Sequence, residues 1–210
     1  MRDFRTSRRL YHHVALGLLS AMLLAGLYYA VDSADAKYKW SMSMACVSLL
    51  LLGGTLLTGP LNVLRRRRNP VSTDLRRDIG IWSGRVGLAH EAIGWQVHMG
   101  NMLLYFLEED KLTKALALRA ELFGFVNYAG LDSGLILVIL LVLSNDLSLR
   151  KLKAPRWKYW QRWNCLFYGL VVAHGISCQV IESRKPPYPM PMATLVLPVL
   201  IIQFIGFTHY

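Results

Sequence analysis

The chain has 210 residues, 54% of them hydrophobic, and a formal net charge of +11. A soluble domain of this size rarely carries both excesses, whereas a polytopic membrane protein does, because apolar residues form the spans and basic residues crowd one side. Cys46, Cys165 and Cys178 have no CxxC spacing and lie in apolar runs. They read as buried free thiols, which excludes zinc, iron–sulfur and covalent heme-attachment motifs.

In chain order, six segments are long enough to cross a bilayer, which takes about 20 residues. They lie near 13–31, 41–64, 79–106, 124–147, 160–181 and 190–208. The expected fold is an all-α integral membrane protein, a six-transmembrane-helix bundle with both termini cytoplasmic, and residues 1–210 form its single domain. The first apolar run, Val14 to Val31, exceeds the usual h-region of a signal peptide and reads as a span. Pro191 and Pro198 interrupt the last segment. Between spans three and four, "EEDKLTKALALRAELFGF" reads either as a short amphipathic surface helix or as a plain loop.

Loop charges set the orientation. With the N-terminus inside, sixteen Lys and Arg residues fall on the cytoplasmic side and seven on the outer side. The inner set includes Arg2, Arg5, Arg8, Arg9, the run Arg65–Arg68 and the cluster from Arg150 to Arg162. On a membrane protein such loops set topology and contact anionic lipid, so no nucleic-acid partner is expected. The localisation expected is the bacterial inner (cytoplasmic) membrane. No Gly-rich nucleotide fingerprint is present.

Spans three and five carry the polar residues, and polar residues at membrane depth face a bundle interior or a ligand. His90 lies eleven residues after Ile79, about 17 Å along span three, and His174 lies fourteen after Trp160, about 21 Å along span five. Both spans run outward, so the two imidazoles share a depth. Two readings stand open: axial ligands of a b-type heme, or two unrelated buried histidines bonded to backbone. His98 lies eight residues past His90, about 12 Å further out and 80° around the helix. It suits either an outer-interface position or a hydrogen bond to a heme propionate or quinone headgroup. Arg85 suits a propionate, since a buried cation needs an anionic partner. Glu91 points about 100° away from His90. His12, His13 and His209 read as interfacial.

Three stretches, "LRRDIGIWSGRVGLAH" (75–90), "LILVILLVLSND" (135–146) and "RWKYWQRWNCLFYGLVVAHG" (156–175), together resemble the ferric reductase-like transmembrane domain superfamily. The nearest likeness is to the heme-binding membrane subunit of the methionine sulfoxide reductase system. The resemblance covers roughly residues 45–180. It implies a six-helix bundle that carries electrons through b-type heme. Residue by residue, the outer ligand pair falls on His90 and His174. The inner positions fall on Gln161 and on Arg76 or Arg77, and neither residue type ligates heme iron. One heme is therefore expected, on the outer side. Electrons would enter from a quinol bound near Arg77, Trp160, Gln161 and Arg162, or from a cytoplasmic flavoprotein docked on the basic loops. They would leave to a periplasmic redox partner. The alternative is a structural or accessory subunit of a larger membrane complex, with or without heme.

Overall fold

The computed structural model describes residues 2–65, 74–97, 101–110, 112–181 and 189–208. Among the described residues seven helices dominate: α1 (Arg2–Ala30), α2 (Ala36–Leu64), α3 (Asp74–Gly94), α4 (Leu122–Leu143), α5 (Asp146–Gln161), α6 (Trp163–Ile181) and α7 (Pro189–Thr208). A 3-10 turn (Met102–Tyr105) and two short strands, β1 (Leu107–Glu109) and β2 (Leu116–Leu118), fill the connection from α3 to α4.

Among the described residues, four helical segments are long and apolar enough to cross a membrane: Ser7–Ala30, Ala36–Asn62, Leu122–Leu143 and Pro155–Ile181. These are the expected spans one, two, four and five. The protein is a helical, membrane-embedded chain with lipid-facing apolar surface. α3 carries charged and polar residues along its length, and α7 has a shorter apolar stretch, Ala193–Ile205.

Span three is shorter than its sequence suggested. The helix stops at Gly94, and the chain then turns instead of continuing to residue 106. The Tyr105 hydroxyl donates to the Gly94 carbonyl at 3.1 Å, satisfying one of the acceptors a helix end leaves open. The following segment is neither an amphipathic helix nor a plain loop. β1 and β2 pair antiparallel, with Leu107 opposite Leu118 and Glu109 opposite Leu116. Asp110 closes the turn by accepting from the Leu112 and Thr113 N–H groups at 2.8 and 2.7 Å. Those bonds, led by that from Thr113, hold its carboxyl below the usual carboxylate range.

α2 is the hub, packing against α1, α3 and α7, while α4 packs against α3, α5 and α6. Small residues let the backbones approach. A Cβ at Gly84 would collide with Leu141, one at Gly134 would collide with the Glu91 carboxylate, and one at Gly53 would lie 3.1 Å from Val199. Reciprocal bonds clamp α2 to α3: Ser48 Oγ donates to the Ser83 carbonyl at 3.0 Å and Ser83 Oγ to the Ser48 carbonyl at 2.9 Å. Gln203 of α7 donates to the Leu56 carbonyl at 2.8 Å. The main apolar core joins Leu52, Leu56, Ile136, Leu140, Phe167, Tyr168 and Val199. α5 breaks at Lys153, where φ is 58°, two residues before Pro155. Not all the cysteines are buried: Cys46 and Cys178 are half-buried and Cys165 is exposed.

Candidate functional site

His90 and His174 each sit in the interior on their own helix, His90 on α3 and His174 on α6, and each ring is held on a backbone carbonyl of a neighbouring helix. His90 Nδ1 lies 2.9 Å from the Ser41 carbonyl and 3.2 Å from Ser41 Oγ. His174 Nδ1 lies 2.9 Å from the Val126 carbonyl. A carbonyl only accepts, so each Nδ1 carries a hydrogen, and in the neutral ring the lone pair is left on Nε2. These are the backbone bonds of the plain reading, and they are also what a heme-ligating imidazole needs. The bonds fit either reading.

Glycines give the rings room. A Cβ at Gly130 would sit 3.1 Å from two atoms of the His174 ring, and one at Gly94 would sit 4.0 Å from His90 Cε1. Cys178, one turn beyond His174, places its Sγ 3.6 Å from Nε2. Its weak thiol bond is the only competitor for that nitrogen among the described residues.

The other expected site residues do not gather there. Arg85 is exposed, with its guanidinium 5.3 Å above the Trp82 ring. Five residues before His90, it points about 140° away around the helix, so it does not approach the pair. His98 lies outside the described residues, as does His209. Arg77 is nine-tenths buried and holds Asp146 at 2.6 Å through Nη1, while its Nε and Nη2 have no hydrogen-bond partner among the described residues. Gln161 accepts from Asn164 Nδ2 at 2.9 Å, and its buried Nε2 has no partner among the described residues. Trp160 and Arg162 are exposed, and Trp160 stacks on Trp163 with centroids 6.1 Å apart. No hydrogen bond or ring contact joins Arg77 to Trp160, Gln161 or Arg162. Glu91 turns to α4, against Gly134.

The sequence reading missed a second polar cluster. Asp78 is fully buried in α3. Arg9 grips one of its oxygens through Nε at 3.2 Å and Nη2 at 2.8 Å. His12 Nδ1 lies 3.0 Å from the other oxygen, and His13 Nε2 lies 3.5 Å from the first. Trp82 Nε1 donates to His13 Nδ1 at 3.2 Å. Arg9 also reaches Asp146 at 3.6 Å. His12 and His13 are thus structural partners of a buried carboxylate, not simple interfacial residues. The signal was available: Arg9, His12 and His13 at i, i+3 and i+4 share one face of α1, and an aspartate inside a helix bundle needs such a partner.

Among the described residues, no group of three or more His, Cys, Asp or Glu side chains is placed to hold a metal ion. A heme iron needs only two protein ligands, so this absence does not bear on a heme. No protein-family model matches the chain, and no curated protein matches it significantly.

Proposed function

We propose that the chain is a b-type heme protein of the bacterial inner membrane, with six spans and both termini cytoplasmic, carrying electrons toward an acceptor on the outer side. The observation that supports this reading is the His90–His174 pair. Two interior imidazoles on different helices are each fixed by Nδ1 on a backbone carbonyl and each left with a lone pair on Nε2. Heme b, when bound, supplies a one-electron carrier at that level. His90 and His174 would hold its iron through Nε2. The Ser41 and Val126 carbonyls orient the rings and fix their tautomers. Gly130 leaves space for the His174 ring.

On the same reading, electrons arrive from a quinol or a cytoplasmic flavoprotein at the inner end. The buried N–H groups of Arg77 and Gln161 without acceptors support a donor there, because buried donors tend to find acceptors in a working assembly. The outer acceptor is a periplasmic redox partner.

The test is a reduced-minus-oxidised spectrum of the purified full chain with heme quantitation. One b-type heme per chain is expected, and absence of b-type absorbance ends the proposal. Replacing His174 with alanine should abolish the absorbance. A spectrum that survives the change would mean that the ligand pair is misassigned.

A further inference from the structure

The connection from α3 to α4 is clamped to both helices. Tyr105 is buried, and its hydroxyl holds the Gly94 carbonyl at the end of α3. From α4, Asn127 Nδ2 donates to the Tyr105 carbonyl at 3.3 Å and the Tyr128 hydroxyl to the Phe106 carbonyl at 2.6 Å. Arg119 Nε donates to the Leu104 carbonyl at 2.8 Å. The ribbon of β1 and β2 grows from this base.

The two faces of the ribbon differ. Strand side chains alternate. The register therefore sets Leu107 opposite Leu118 and Glu109 opposite Leu116 on one face, and Glu108 opposite Ala117 on the other. Three of the four side chains on the first face are leucines. Leu116 and Leu118 are 59% and 72% exposed, so the described residues leave that face open. Glu109, the fourth, sits at the turn end, where its carboxylate pairs with Lys114 at 3.3 Å. A two-stranded ribbon gains little from its own pairing, so an ordered leucine face in water calls for a cover.

Position decides what the cover is. The membrane-length apolar segment of α4 begins at Leu122, four residues after Leu118. Asn127, which holds the ribbon's base, lies five residues inside that segment, about 7.5 Å along the helix. The base is thus level with the first two turns of a lipid-facing helix. Leu122 and Phe125, each more than half exposed, continue the apolar surface from there into the span. An apolar ribbon fixed at that level meets the bilayer interface before it can meet a soluble protein.

We propose that the β1–β2 ribbon lies in the membrane interface, with the leucine face against lipid and Glu108 toward water. The proposal rests on the membrane-embedded character of the chain and does not depend on heme.

Nitroxide labels on the full chain in nanodiscs test it, with Cys46, Cys165 and Cys178 replaced by alanine. Labels at Leu116→Cys and Leu118→Cys should be reached by oxygen, which concentrates in lipid, and shielded from a water-soluble nickel chelate. A label at Glu108→Cys should show the reverse, with several-fold greater access to nickel. All three sites are exposed, so each variant should keep its helical circular dichroism, and Leu107→Cys serves on the leucine face if one does not. Equal nickel access on the two faces overturns the proposal and leaves the leucines to a protein partner.

Discussion

Histidines occur at two levels of this bundle, and their partners differ in kind. At the level of His90 and His174, each ring meets a neutral backbone carbonyl. At the level of His12 and His13, both rings meet the buried carboxylate of Asp78, which Arg9 also grips. A carbonyl orients a ring without adding charge, and leaves Nε2 for a ligand. A carboxylate ties the rings to itself and uses them to join α1 to α3. The same side chain is thus a candidate ligand at one depth and a fastener at the other, and the charge of the acceptor makes the difference.

That contrast can be broken at either level. The largest expected effect on stability comes from Asp78→Ala, which strands Arg9 and releases α1; removing one member of a buried pair costs about 3 kcal/mol. Thermal unfolding in detergent should show a marked drop in midpoint, and an unchanged midpoint would remove Asp78 from the architecture. At the other level, His90→Ala should abolish heme binding with a much smaller loss of stability, read by absorbance and unfolding on one sample. Gly130→Ala comes next. The added methyl presses on the His174 ring at 3.1 Å, so several-fold weaker heme retention is expected while the helices remain. Retention equal to the parent would show that the ring has room to move.

Two smaller effects sharpen the comparison. Cys178→Ala removes the thiol beside His174 Nε2 and should leave heme content equal to the parent or higher; a loss would make the thiol a supporting group. The hairpin turn should depend on pH, because the carboxyl of Asp110 is held below its ordinary value by the N–H groups of Thr113 and Leu112. For a lowered carboxyl, the stabilisation is present above the unfolded pKa of about 3.9. It is lost as pH falls through the folded value. Amide exchange at Leu112 and Thr113 should therefore accelerate in acid, and Asp110→Asn should remove most of that dependence.

Composition and hydropathy alone determined much of this protein. They gave its membrane-embedded helical character and the positions of α1, α2, α4 and α6, because span length and helical rise are properties of the chain itself. Tertiary structure decided the rest. Gly94 is a weak local stop signal in "IGWQVHMGNMLLYF", and what secures it there, the Tyr105 hydroxyl on its carbonyl, comes from beyond the turn. The hairpin depends on pairing between β1 and β2, which a helical reading of the leucine spacing could not register. The outward turn of Arg85 follows from which face of α3 packs inward. Asp78 shows the limit most clearly. The sequence holds the carboxylate and its three partners 65 or more positions apart, and only the packing of α1 on α3 turns them into one buried cluster.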